Sequence, residues 1–152
     1  MFFDTSALKN EEIYLSLYKT ADENIAKGYV PAYYFKIVRR KDEVEVGVCD
    51  LRIGYNKNIE YGGNIGYVIY ETFRGNHYAS KACKLLLSLA KKHWMEEVII
   101  TCNPDNIASR KTCEHSGAKF IGIMDVPKNH ELYKIGEKKK CKYIIRLKAH
   151  LK

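Results

Sequence analysis

Apolar residues recur at every second position from Ile13 to Leu17, from Tyr33 to Val38, and at Val44, Val46 and Val48, the spacing of strands that bury one face. The polar Arg39 to Glu43 segment joins the second and third of these into a predicted β-hairpin. Before the hairpin, Ala21 to Lys27 reads as a short helix stopped by Gly28 and Pro31. Asn56 to Glu60 reads as a polar turn, and the apolar run Gly66 to Tyr70 suits a central strand. From Ser80 to Trp94 the period changes: Ala82, Leu85, Leu86, Leu89 and Ala90 share one helical face, with Cys83, Leu87 and Trp94 widening the stripe. Glu97 to Thr101 is a β-branched run. After it, Asp105 or Asn106 is placed to cap a second helix that stops at Gly117. Lys119 to Val126 and Lys140 to Leu147 supply two more strands.

Strands, then strand, long helix, strand, short helix and two strands predict one domain over residues 1–152. Its class is α/β (α+β): a mixed, mostly antiparallel sheet of about six to seven strands with a central βαβ unit and helices on both faces. Composition agrees, since 46% hydrophobic and 12% aromatic residues fill a core without staples, which excludes disordered, fibrous and disulfide-built classes. The five cysteines are odd in number and form no C-x-x-C pair, so they read as reduced thiols. No apolar run approaches the ~20 residues that cross a bilayer. MFFDTSALKNEE lacks the pattern of a secretory leader, so the expected location is cytoplasmic, with no membrane partner.

The net charge is +8, and most of the excess lies from Lys134 to Lys152, where eight Lys or Arg accompany one acid, Glu137. Such a segment can attract a polyanion. Here Tyr143 and Ile145 alternate with Lys142 and Arg146, so a solvated strand with basic edges is the better reading, and no aromatic stacking motif accompanies it.

Chemistry concentrates in the loop Arg74-Gly75-Asn76-His77-Tyr78-Ala79, between an apolar strand and the N-terminus of the long helix. Free N–H groups and the positive end of the helix dipole suit a phosphate there. No G-K-[ST] follows, which argues against nucleoside triphosphate hydrolysis. His77, His93 and His115 make no metal-ligand set with the cysteines, so no metal is expected.

The loop resembles the pyrophosphate loop Q/R-x-x-G-x-G/A of the GCN5-related N-acetyltransferases (GNAT), with Arg74 and Ala79 at its ends and His77 in place of the middle glycine. Glu71 stands where that family's strand usually ends with proline. Downstream, N-P-D-N-I-A-S-R-K-T-C-E-H-S-G from Asn103 to Gly117 is similar to the family's N-x-x-A/S-x-x-x-Y-E-K-x-G-F stretch. With Gly62-Gly63-Asn64-Ile65-Gly66-Tyr67, the similarity runs from about Leu51 to Leu147.

The resemblance implies a GNAT-like sheet and transfer of an acetyl group from acetyl-CoA, as co-substrate, directly to a primary amine in a ternary complex. Val68 and Ile69 would pair through their backbone with the pantetheine arm, Arg74, Gly75, Asn76, His77, Tyr78, Ala79 and Ser80 would hold the pyrophosphate, and Asn103 and Asn106 would border the thioester. The family's tyrosine acid falls at Cys113. In the branch that acetylates ribosomal-protein N-termini, which the stretch resembles more closely, a serine is the acid and a glutamate before the last strand the base, implying Ser109 and Glu131. Cys113 as an acetyl carrier and Glu71 as base are the alternatives.

Chemistry sets the same demands independently. An amine with pKa near 10.4 is ammonium at neutral pH, so its deprotonation costs roughly 4–5 kcal/mol without a base, whereas a thiolate with pKa near 8.5 leaves with less help. The acceptor stays open among a protein N-terminus, a lysine and a small-molecule amine, and a homodimer is admitted. Two other classes remain: a catalytically silent CoA-binding module, and a basic nucleic-acid-binding domain.

Overall fold

The computed structural model describes residues 1–147, among which seven strands fall into two sheets. Lys148 and Lys152 of the basic segment lie outside the described residues. Strands β1 (Ile13–Ala21), β2 (Ala32–Arg39), β3 (Val44–Arg52) and β4 (Ile65–Ile69) pair antiparallel in that order. Strands β5 (Glu97–Cys102) and β6 (Lys119–Asp125) flank β7 (Lys139–Arg146), again antiparallel. The mixed, mostly antiparallel seven-strand arrangement matches the sequence, but the sheet is split between β4 and β5, inside the βαβ unit.

The core follows from the two periodicities. Tyr33, Phe35 and Ile37 of β2 are fully buried while Lys36 between them faces solvent. Helix α2 (Tyr78–Lys92) lays Ala82, Cys83, Leu86, Leu89 and Ala90 against β1, β3 and β4. Helix α3 (Ile107–His115) packs on α2, β5 and β6 and buries Cys113.

Three expectations are corrected. β1 continues through Ala21, and only Ile25–Lys27 forms a 3₁₀ turn, because the Asn24 side chain accepts from Lys27 N and its backbone bridges Tyr29, closing a loop instead of a helix. The polar turn at Asn56 is helix α1 (Lys57–Gly62), since Asn56 Oδ1 caps Ile59 N at 2.9 Å and Ile59 is buried. Trp94 does not widen the stripe of α2: it follows the helix end at Lys92, has a φ of 61° and is 75% exposed.

The sheets are joined by Asn64, 1% exposed, just before β4. Its backbone N–H donates to Ile99 O (2.6 Å) and its Oδ1 accepts from Ile99 N (2.8 Å), while Nδ2 donates to Arg52 O (2.9 Å) and Gly54 O (2.8 Å). One side chain thus replaces a rung between β4 and β5 and ties it to the end of β3. Gly63 lets the backbones approach: a Cβ there would meet Ile99 O and Thr101 N at 3.1 Å, at a φ of 79°.

The basic segment is largely paired among the described residues. Lys139 meets Asp125, Lys140 meets Glu137, Lys142 meets Glu60 and Arg146 meets Glu97.

Asn64→Ala leaves the Ile99 N–H and the Arg52 and Gly54 carbonyls without the side chain that satisfies them. At about 1–3 kcal/mol for each buried orphan, a loss of about 3 kcal/mol or more is expected. It would be read as a lower urea midpoint at unchanged slope; a change within 1 kcal/mol would remove Asn64 from this role.

Candidate functional site

Beyond Asn64 the strands β4 and β5 form no ladder, so one edge of β4 is open. The bonds Arg52 N to Asn64 O and Tyr70 N to Val46 O fix the alternation: Gly66 and Val68 turn their N–H and C=O groups to β3, while Tyr67 and Ile69 turn theirs to the opening. A cavity of about 430 Å³ occupies this opening. Its walls are the β4 edge, the loop from Phe73 to His77, the first turn of α2, and the face of α3 that carries Ala108, Ser109, Lys111, Thr112 and His115.

The loop is held by its own chain. Arg74 Nε donates to Ile69 O at 3.1 Å, Asn76 Nδ2 to Phe73 O at 3.0 Å, and Ser80 Oγ to His77 O at 3.1 Å. His77 is the N-cap of α2 with a φ of 61°, the left-handed conformation that glycine enters freely and an L residue enters at about 1–2 kcal/mol. Its side chain caps nothing, and the first turn of α2 holds no acid. The imidazole stacks edge-on with His115 across the cavity, ring centres 5.0 Å apart. Arg74, Lys111 and the two histidines therefore surround the uncapped N–H groups, and no carboxylate lines the cavity. An anion suits such a wall.

A second cavity of about 230 Å³ meets the first at Tyr67, Asn106 and Ser109. It adjoins a third, of about 310 Å³, through Gly62 and Leu132, and Glu131 lines that third cavity. At the junction the Tyr67 hydroxyl lies 2.7 Å from Ser109 Oγ, 3.3 Å from Ser109 O and 3.9 Å from Cys113 Sγ. Asn106 Oδ1 caps Ser109 N at 3.1 Å, which fixes the first turn of α3 there. Burial, with Cys113 beside it, holds the Tyr67 phenol well above its ordinary range. Its hydrogen bond with Cys102 and its burial likewise hold the Cys113 thiol protonated.

A family model for the acetyltransferase (GNAT) domain matches residues 5–119. The chain belongs to the GNAT acetyltransferase family. Among solved structures, a GNAT-family acetyltransferase from Bacillus anthracis is similar at 23% identity, covering 74% of this chain and 65% of that one, with a TM-score of 0.60. An acetyltransferase from Salmonella typhimurium that modifies the N-terminal serine of ribosomal protein L7/L12 is 21% identical over 81% of this chain and 67% of that one, with a TM-score of 0.59. The microcin C7 self-immunity acetyltransferase, solved with acetyl-CoA and AMP, is 20% identical over 76% and 61%, with a TM-score of 0.60. The chain thus spans about two thirds of the lengths of these structures. Among curated proteins none matches.

Within this GNAT fold the residues singled out from the sequence separate into groups. Ile69, Arg74, Gly75, His77, Tyr78, Ala79, Ser80, Asn106 and Ser109 line the first cavity. Val68 also lines it, but its backbone is spent on β3; Tyr67 is the residue that shares the open edge with Ile69. Asn76 lies outside the lining and builds the loop instead. Asn103 faces the second cavity, with Oδ1 buried and unpartnered. Cys113 is fully buried behind Tyr67 and Ser109 and lines none of the three cavities. Glu131 opens α4 (Glu131–Lys134), accepts from Tyr29 OH at 3.3 Å, and lies past the end of the family match. Glu71 is exposed in the 3₁₀ turn Glu71–Phe73, outside these cavities.

Lys111, Thr112 and His115 were not anticipated. Their spacing from Ala108 places all four on one face of α3, a signal legible in the sequence. Tyr67 stood in the sequence only as the end of the Gly62–Tyr67 stretch that carries the resemblance.

His77→Gly keeps the loop's backbone path and removes the left-handed cost, so the protein should gain about 1 kcal/mol in urea unfolding. A loss of stability would show that the His115 contact holds the loop.

Proposed function

We propose that this GNAT domain transfers the acetyl group of acetyl-CoA to a primary amine by direct attack in a ternary complex. The observation that carries the reading is a row of three adjoining cavities, from the uncapped N-terminus of α2, past Tyr67 and Ser109, to the cavities that Asn103 and Glu131 line. The pyrophosphate fits the N–H groups of Tyr78 to Ser80 with Arg74 and Lys111 beside them. The pantetheine amides fit the open edge of Tyr67 and Ile69. The acceptor fits the second and third cavities.

When bound, acetyl-CoA supplies an activated acetyl thioester at the junction. There the chain's own groups orient the reaction: Asn106 fixes the first turn of α3, and the Ser109 and Tyr67 hydroxyls lie where the sulfur departs. The Glu131 carboxylate, in the acceptor cavity, is placed to draw an ammonium inward and take its proton directly or through water. Cys113 carries no acetyl group in this scheme, because it is buried and protonated. A protein N-terminus is favoured among acceptors by the likeness to the Salmonella enzyme.

The other two classes lose their support. His77 adopts the left-handed backbone conformation that glycine enters freely, so it does not argue for a silent site. The ion pairs of the last strand remove the concentrated charge that a nucleic-acid reading needs.

Acetyl-CoA at one hundred times its dissociation constant should add about 2.7 kcal/mol, read as a higher Tm. Arg74→Glu should abolish the shift and Lys138→Glu should spare it. Thiol release from acetyl-CoA with a panel of amines, including peptides with free N-termini, tests transfer. No Tm shift would refute the binding; binding without thiol release across the panel would favour the silent module.

A further inference from the structure

The departing CoA sulfur must lie where the acetyl-CoA cavity meets the acceptor cavities, and the residues lining both sides of that junction are Tyr67, Asn106 and Ser109. The Asn106 side-chain oxygen is committed to Ser109 N. Its Nδ2 amide and two hydroxyls, 2.7 Å apart, remain as donors. A phenol is a stronger acid than an amide or an aliphatic alcohol and so the strongest donor of the three to an anion. The Tyr67 hydroxyl also has Ser109 O within 3.3 Å, an acceptor that holds its proton at the junction until a better one arrives.

We propose that Tyr67 donates the hydrogen bond that stabilises the departing CoA thiolate, with Ser109 as the positioning residue that donates in turn to the phenol oxygen. This rests on the acetyl-transfer reading and assigns its leaving-group step. β4 thereby supplies a phenol at the position where α3 offers the closed-off thiol of Cys113.

The step balances without a proton leaving the tyrosine. The amine nitrogen bonds to the acetyl carbon, the C–S bond breaks with its pair on sulfur, and the proton shed by the amine goes to a carboxylate or water. Burial raises the phenol, whereas a thiol titrates near 8.5, so the proton stays on oxygen and the sulfur leaves as a hydrogen-bonded anion. The groups that face the hydroxyl are Ser109 and Cys113 of α3 and Cys83 of α2; Glu137 and Lys140 line the same small cavity.

The test needs no acceptor. CoA is bound to the protein and its thiol titrated by thiolate absorbance. In the wild type the bound thiol should titrate below free CoA, and Tyr67→Phe should raise it by about one to two pH units, the worth of one hydrogen bond to a charged group. Ser109→Ala should raise it less. With an active acceptor, Tyr67→Phe should lower kcat roughly tenfold to a hundredfold while acetyl-CoA affinity holds. An unchanged thiol titration with CoA bound would overturn the proposal and leave the transfer reading standing. Failure of the wild type to bind CoA would overturn both. If Tyr67→Phe does not fold, 3-fluorotyrosine at position 67, a more acidic phenol, should lower the bound thiol's titration further, and no change there would equally sink the idea.

Discussion

Everything functional in this molecule depends on how two sheets can be joined and yet parted. Asn64 does both. Its five hydrogen bonds lock β4 to Ile99 at one point and to the end of β3 at another, satisfying buried backbone groups that would otherwise require a continuous ladder. Because the join is a single residue, β4 is released immediately afterwards. The N–H groups of Tyr67 and Ile69 and the C=O of Tyr67 are then open to whatever enters, the Ile69 C=O accepting from Arg74, and an extended amide chain is the partner that an open strand edge accepts most readily.

The opening also explains the division of charge. On one side the wall combines the uncapped first turn of α2 with Arg74, Lys111, His77 and His115, and it contains no carboxylate. On the other, Glu137 lines the small cavity at the junction, and Glu131 and Asp22 line the next cavity beyond it. On the proposed reading, a chain of net charge +8 thus turns one wall to the anionic CoA and another to the amine. The basic segment that dominates the charge count contributes ion pairs within the fold, so net charge alone would mislead about partners.

Much of this was legible in the sequence because it rests on local rules. Period-two alternation placed β2 and β3, and the apolar stripe placed α2 to within two residues at each end. The loop from Arg74 to Ala79 was found through a strand followed by a helix start, together with the family resemblance. What was missed depends on side chains that act at a distance in the chain. Asn64 binds residues 35 positions away, and no periodicity reports that. Helix α1 was hidden because one buried residue, Ile59, and one cap, Asn56, suffice to form it. Val68 was confused with Tyr67 because the strand was visible but its hydrogen-bond phase was not, and a shift of one residue reverses which groups face the gap. The proximity of Tyr67 and Ser109, 42 residues apart, required the fold itself.

On the proposed reading, acetyl-CoA lies along the open edge of β4, between the two sheets. Backbone amide hydrogen exchange measured with and without acetyl-CoA tests it residue by residue. Slowed exchange is expected at Tyr67, Ile69 and the first turn of α2 from Tyr78 to Ser80, with Val68 unaffected because its N–H already bonds to β3. Protection confined to the basic strand β7, with the β4 edge unchanged, would contradict it.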